Sequence, residues 1–251
     1  MLLDKGCIVY AAARREERMM PLKEKGAHIL KMDLTDESSI SAAVSRIIAE
    51  QGRIDVLVNN AGYGYFGPLE QVPLNEARRQ FEVNVFGLAS LCQKVLPLMR
   101  ERRKGRIVNV ASMAGHFCEP RGDWYHATKY AVVALSQCLR MEVAPFRIKV
   151  SLIEPGAIRS EWSETAVRNM EECCAGTPYE KSAANHARLF RWAYQKFASD
   201  PDVVARSIVR ASTAFWPRLH YRNGFGSKSF VFFKTILPER WFEAVMRKIF
   251  N

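Results

Sequence analysis

Arg106-Ile107-Val108-Asn109-Val110-Ala111-Ser112 is an apolar run closed by a serine, and Tyr125-His126-Ala127-Thr128-Lys129 opens a helical one. The first reads as a buried β-strand from Arg106 to Ala111. The second reads as a helix from Trp124 to about Val143. Tyr125 and Lys129 are four residues apart and so share a helix face. A free phenol titrates near ~10, and a nearby ammonium lowers that value. The hydroxyl of Ser112 can donate to a substrate oxygen while Tyr125 exchanges the proton. These are the groups needed to interconvert an alcohol and a carbonyl, given a hydride carrier beside them.

Outward from this pair, strand-like and helix-like segments alternate. Cys7 to Ala13, His28 to Met32, Ile54 to Val58 and Lys149 to Ile153 read as further strands. Arg15 to Lys25 is a short helical piece. Asp36 to Gln51 is an amphipathic helix with Ile40, Val44, Ile47 and Ile48 on one face, capped by Asp36 and stopped by Gly52. Leu74 to Arg103 is a long helical stretch in which Pro97 predicts a kink or break. The alternation predicts an α/β fold, a doubly wound parallel sheet with helices on both faces. Residues 158–200 are polar and irregularly periodic, as expected of helices over a substrate cleft. Asp202 to Ala214 is helical, and residues 230–251 form an apolar-basic tail broken by Pro238. No repeat or linker divides the 251 residues, so a single domain is expected.

The net charge of +11 reads as a solvated basic surface, with an anionic cofactor or an anionic membrane surface as the sharper alternatives. No helix carries a basic stripe interleaved with stacking aromatics, so no nucleic acid is expected. No apolar run is long enough to span a bilayer and no signal peptide is visible, which makes the cytoplasm the default compartment. The six cysteines include no Cys-x-x-Cys pair and read as reduced thiols. The five histidines show no metal spacing, so no metal site is expected.

Gly62-Tyr63-Gly64-Tyr65-Phe66-Gly67 matches the string Gly-x-Gly-x-x-Gly. Pro68 and Pro73 follow, and a helix starts only near Leu74. The fingerprint needs its glycines to run straight into a helix N-terminus, so this stretch is predicted to be a mobile substrate-side loop instead. His126 is predicted to be a helix-surface residue.

With these pieces in place the chain resembles the short-chain dehydrogenase/reductase family, from Lys5 to about Trp162. The motifs are Asn59-Asn60-Ala61-Gly62, Asn84-Val85-Phe86-Gly87, Ser112 thirteen residues before Tyr125, Tyr125-x-x-x-Lys129, and Pro155-Gly156-Ala157-Ile158. The resemblance implies a Rossmann-like fold and a tetrad. Tyr125 is its general acid/base, Lys129 lowers the Tyr125 pKa and holds the nicotinamide ribose, Ser112 holds the substrate oxygen, and Asn84 anchors a water. It implies cofactor contacts at Arg14, Asp33, Leu34, Asn60, Ala61, Gly62, Pro155, Gly156, Ile158 and Ser160, besides Tyr125 and Lys129. Arg14 and Arg15 follow the first strand and no carboxylate stands at its end, so NADP is expected over NAD.

The family places a strand and a glycine-rich turn before the position of Cys7, between the strands at Cys7 and Ile54. The expectation is that Met1 is not the natural start and that those two strands have unpaired inner edges. On that expectation a chain starting at Met1 binds cofactor weakly or not at all. The Pro155 to Trp162 segment resembles the branch acting on steroids, retinoids and acyl-dihydroxyacetone phosphates. Together with Trp162, the Tyr63 to Phe66 loop and the aromatic tail, this suggests a lipophilic carbonyl or alcohol substrate. The tail is expected to pack over the substrate cleft or a partner subunit, with a peripheral membrane contact as the alternative. The resemblance implies a homodimer or homotetramer through the helices from Leu74 and Trp124. The alternative function is a catalytically inactive family member or a binding module that uses the fold as a scaffold.

Overall fold

A strand with no exposed residue needs cover on both faces, and β-strand Gly105–Val110 is such a strand. Ile107 packs with the helices of one face, while Val108 packs on the other. The computed structural model describes residues 1–250. Six strands are present among them: β1 (Tyr10–Ala13), β2 (His28–Lys31), β3 (Val56–Asn59), β4 (Gly105–Val110), β5 (Ile148–Pro155) and β6 (His220–Asn223). The helices are α1 (Met20–Glu24), α2 (Glu37–Gln51), α3 (Leu74–Phe81), α4 (Gly87–Glu101), α5 (Asp123–Val143), α6 (Glu161–Cys174), α7 (Glu180–Phe197), α8 (Asp202–Thr213), α9 (Ser227–Ile236) and α10 (Glu239–Phe250).

All strand pairings are parallel, in two groups: β1 with β2, and β3-β4-β5-β6 in that order. Helices α2, α4 and α5 cover one face, where Ile40, Val95, Ile107, Val132 and Leu152 form the main core. Helix α8 covers the other face through Ala211, against Val108, Ile153 and Tyr221. This is the Rossmann-like α/β architecture expected of the alternating pattern. No ladder joins β1 to β3 among the described residues, and Ile8, just ahead of β1, is 64% exposed.

Helix α2 follows its local signals. The carboxylate of Asp36 accepts from the Ser38 N–H at 2.8 Å, and Gly52 takes φ 68° at the C-cap. Three expectations need correction. The first strand begins at Tyr10, not Cys7, because the Cys7 N–H turns back to the Leu2 carbonyl and the ladder with β2 starts only at Tyr10. Pro97 sits inside an unbroken α4, where Val95 and Met99, both 0% exposed, hold the turn around it. Their packing offsets a lost hydrogen bond that costs about 3 kcal/mol in an unsupported helix. The long helical stretch is interrupted earlier, by a π-turn over Glu82–Phe86. Strand β6 was not anticipated.

Candidate active site

The ends of β3, β4 and β5 point the same way, and helix α5 starts beside them. A buried amide ladder fixes their spacing. Asn59 Nδ2 donates to Asn109 Oδ1 at 2.9 Å, Asn109 Nδ2 donates to Ser136 Oγ at 2.8 Å, and Ser136 donates to the Val132 carbonyl at 2.7 Å. Groups like these are costly when unpaired in a core, so the ladder favours one register of β3, β4 and α5.

Ser112 follows β4 and accepts from the Ala114 N–H at 3.1 Å, which shapes the turn over Met113–Gly115. Its hydroxyl donates to the Pro155 carbonyl at 3.5 Å and is near enough to the Tyr125 hydroxyl to favour the phenolate. One turn along α5, the ammonium of Lys129 donates to the Val110 carbonyl at 3.2 Å and lies 5.8 Å from the Tyr125 ring centre. Both side chains are enclosed. Burial pushes the Tyr125 phenol up to about 12, against the hydrogen bond from Ser112, and Glu119 adds to the rise. Burial pulls Lys129 down to about 8. The expected lowering of the phenol is therefore reversed: desolvation outweighs a cation that is directed at Val110 rather than at the hydroxyl.

Asn84 lies in the π-turn, 2% exposed. Its amide binds the Tyr63 main chain and the Thr128 hydroxyl, at 3.1 Å for the latter, and so ties the loop after β3 to α5. That loop lines the cavity through Gly62 and Phe66. It is pinned rather than mobile, because Phe66 is 1% exposed at the centre of an aromatic cluster. The Phe66 ring lies 5.5 Å from Tyr125 and 5.9 Å from Trp162.

Ser112, Tyr125 and Lys129 open on a cavity of about 620 Å³. Of the other residues singled out from the sequence, Asn60, Gly62, Pro155, Gly156, Ile158 and Ser160 line it. Asn84 stands behind Gly62, where an added Cβ would come within 3.0 Å of Asn84 Oδ1. Ala61 is exposed beside the cavity, outside its lining. Arg14, Asp33 and Leu34 lie apart from it, at the ends of β1 and β2. There the Asp33 carboxyl is held low by the Thr35 N–H, with a smaller contribution from Arg14.

Of the remaining walls, Trp162 and the Phe250 tail were anticipated on the substrate side, and Phe190 and Tyr194 were not. Trp162 from α6, Phe190 and Tyr194 from α7, and Phe250 from α10 make the cavity strongly apolar. Phe250 is held by Arg121, whose guanidinium donates to its carbonyl and to His186 Nδ1. His126 is a correction: at 2% exposed it is buried rather than on the helix surface, with Nδ1 between the Ala114 and Phe117 carbonyls. Beneath Pro155, the carboxylate of Glu154 is 0% exposed and takes contacts from His116, His220 and Arg222 at 2.7, 2.9 and 3.0 Å.

The family model described as short chain dehydrogenase matches residues 1–171. A probable short-chain type dehydrogenase/reductase, VdlC, of Helicobacter pylori is 33% identical over 249 residues, covering 99% of this chain and 91% of its own length. A 3-ketodihydrosphingosine reductase of Bacteroides thetaiotaomicron is 40% identical over 173 residues, 68% of this chain and 62% of that protein. The solved structure of a short-chain dehydrogenase from Streptomyces avermitilis superposes with a TM-score of 0.79 at 31% identity, over 98% of this chain and 87% of the other.

Proposed function

Since this chain belongs to the short-chain dehydrogenase family and is an NAD(P)-dependent oxidoreductase, we propose that it interconverts a carbonyl and an alcohol on a lipophilic substrate, with NADP as carrier. The observation that carries this reading is that Ser112, Tyr125 and Lys129 meet on the wall of one apolar cavity of about 620 Å³.

The residues around the cavity fit the nicotinamide-ribose end of such a cofactor. Lys129 has three N–H donors and is bonded to Val110 alone among the described residues, which leaves donors for ribose hydroxyls. Gly62 presents bare backbone next to that ammonium, 3.5 Å from where its Cβ would be. Pro155, Gly156 and Ile158 form the facing wall. When bound, the nicotinamide supplies the hydride in the reducing direction. Tyr125 gives the proton to the carbonyl oxygen and Ser112 donates a hydrogen bond to that oxygen. Lys129 stabilises the resulting phenolate, and Asn84 positions the loop that carries Gly62.

For the far end of the cofactor, the support for NADP is the exposed Arg14 beside Asp33, a place for the doubly charged 2′-phosphate. Support for a lipophilic substrate comes from the aromatic walls and from the relative named for 3-ketodihydrosphingosine. Exposed Phe232, Phe233 and Trp241, interspersed with Lys228, Arg240 and Lys248, support a peripheral membrane contact by the tail. No helix among the described residues is long and apolar enough to cross a membrane. Exposed Phe86 at the α4 start and Leu135 on α5 support a homodimer through those helices. A cytoplasmic location is proposed on the same footing as the cofactor choice.

A second reading, a binding module without turnover, is favoured by one observation. Among the described residues β1 and β3 are unpaired to each other, and no glycine turn runs into a helix facing the cavity. Fluorescence titration with NADPH and NADH, followed by NADPH oxidation in the presence of a long-chain ketone, separates the two. Tighter NADPH binding with ketone-dependent oxidation supports the oxidoreductase reading, and an absence of nucleotide binding overturns it.

A further inference from the structure

Glu119 lies on the segment between β4 and α5 and lines the same cavity. Its side chain is only 9% exposed, and no hydrogen bond among the described residues reaches its carboxylate. A carboxylate facing a largely apolar cavity without donors favours a polar or cationic partner from that cavity.

Its nearest partner is Nε2 of His126, 3.7 Å from Oε1. The hydrogen-bond accounting of that ring is specific. Nδ1 lies 2.9 Å from the Ala114 carbonyl and 2.6 Å from the Phe117 carbonyl, and both are acceptors. Nδ1 must therefore carry a hydrogen, so in the neutral ring the lone pair is at Nε2. That Nε2 is buried and has no hydrogen-bond partner. Two acceptors, one of them anionic, thus stand side by side on the cavity wall with no donor between them.

The other charged group close by is committed elsewhere. Arg121 is within electrostatic reach of Glu119, yet its guanidinium donates to His186, to Ser182 and to the Phe250 carbonyl. The Glu119 charge reaches Tyr125 instead, where it opposes formation of the phenolate. A cation bound against Glu119 would cancel that opposition at the reacting oxygen.

We propose that Glu119 and His126 form a subsite for a primary ammonium group, and that the substrate is a long-chain carbonyl compound bearing an amine a few bonds from the carbonyl. An ammonium has the positive charge that Glu119 lacks a partner for, and three N–H donors, enough for Oε1 and Nε2 together. A hydroxyl offers one donor and no charge. The aliphatic remainder lies along Trp162, Phe190 and Phe250. This rests on the lipophilic-carbonyl reading and names the substrate class within it.

The test is isothermal titration of the full chain at neutral pH with n-decylamine and with n-decanol. The amine is an ammonium there, because such groups titrate near ~10.4. Binding of the amine about tenfold tighter than the alcohol, with that preference lost in Glu119→Gln, is the expected result. Equal affinities in the unmutated protein overturn the subsite and leave the apolar-cavity reading standing; this is the outcome if Glu119 and His126 form a closed ion pair. A preference that survives Glu119→Gln also overturns it. Binding of neither ligand overturns the lipophilic reading and the subsite together. The comparison of two ligands on the unmutated protein decides the matter even if the variant folds poorly.

Discussion

Asn84 closes on the main chain of Tyr63 from both sides: its Oδ1 accepts from the Tyr63 N–H at 3.0 Å and its Nδ2 donates to the Tyr63 carbonyl at 2.8 Å. The same Nδ2 reaches the Thr128 hydroxyl, which in turn donates to the Tyr125 carbonyl at 2.8 Å. One buried amide thus joins the loop after β3 to the turn of α5 that bears Tyr125. The π-turn over Glu82–Phe86 presents Asn84 here, and an unbroken α-helix would rotate the residues after it differently.

Asn84→Asp keeps the shape and removes both donors. The Tyr63 carbonyl and the Thr128 hydroxyl then face a carboxylate, and each buried orphan costs about 1–3 kcal/mol. The expected result is a urea midpoint lowered in proportion, with kcat reduced as the loop carrying Gly62 slackens. A variant with unchanged midpoint and unchanged kcat shows that the clamp is idle.

Tyr125→Phe removes the proposed proton donor and keeps the ring that packs on Phe66 and Trp162. Turnover is expected to vanish while NADPH binding, followed by fluorescence, stays close to that of the unmutated protein. In the unmutated protein, burial holds Lys129 at about 8. Carbonyl reduction should therefore be fastest below that pH and decline above it, as the cation that stabilises the phenolate is lost. A rate that keeps rising from pH 8 to 10 contradicts the assigned role of Lys129.

Glu154 makes the acid side of stability predictable. Burial alone would raise its carboxyl, but the hydrogen bonds and charges of His116 and His220 reverse this and bring it to about 2. Arg222 lies against the other oxygen and Arg140 contributes at longer range. A folded value below the unfolded one gives stability that is present above the unfolded pKa, near ~4.3, and lost as pH falls toward 2. A depression of this size corresponds to about 3 kcal/mol. Glu154→Gln should lose that contribution at pH 7 and flatten the fall in stability between pH 5 and 2, read from urea titrations at each pH.

The parts of the fold set by neighbouring residues were legible, and the parts set by distant packing were not. Asp36 and Gly52 bound α2 through their own side chain and backbone, so both ends could be read directly. Ser112, Tyr125 and Lys129 are close in the chain and meet for that reason. Pro97 misled because Val95 and Met99 hold its turn from a core built by remote segments. His126 looked like a surface residue because the two carbonyls that enclose its ring lie on the preceding irregular segment. Strand β6 is four residues, His220–Asn223, all with side chains that ionise or hydrogen-bond, and only the β5 edge makes it a strand. The signal for Glu119 was present as a lone acid between Cys118 and Pro120, but nothing local shows that it faces a cavity.

Gly64 controls the placement of Trp162. A Cβ there would come 2.7 Å from Trp162 Cζ2 and 3.2 Å from Tyr125 Cδ2, and the backbone itself tolerates alanine. Gly64→Ala should push Trp162 from its tilted contact with Tyr125 at a cost of about 1–3 kcal/mol. The expected readout is a fall in kcat/KM for long-chain substrates with circular dichroism unchanged. Unaltered kcat/KM shows that Trp162 can move aside without consequence.

The tail offers a test of membrane contact that leaves the cavity alone. On α9 and α10 the inward side chains are Val231, Phe242, Met246 and Phe250, while Phe232, Phe233 and Trp241 are 59%, 50% and 69% exposed. Between Ser227 and Phe250 stand Lys228, Lys234, Arg240, Arg247 and Lys248 against Glu239 and Glu243. An exposed aromatic face with an excess of cations suits the interface of an anionic bilayer, where each nearby Lys or Arg contributes about 1 kcal/mol. The triple variant Phe232→Ser, Phe233→Ser, Trp241→Ser should lose co-sedimentation with phosphatidylserine-containing vesicles. Binding of the unmutated protein should weaken in high salt and be weaker still on phosphatidylcholine alone. Because none of the three side chains lines the cavity, NADPH binding serves as the control that the variant is folded. Equal sedimentation of variant and unmutated protein assigns the exposed aromatics to some contact other than a bilayer.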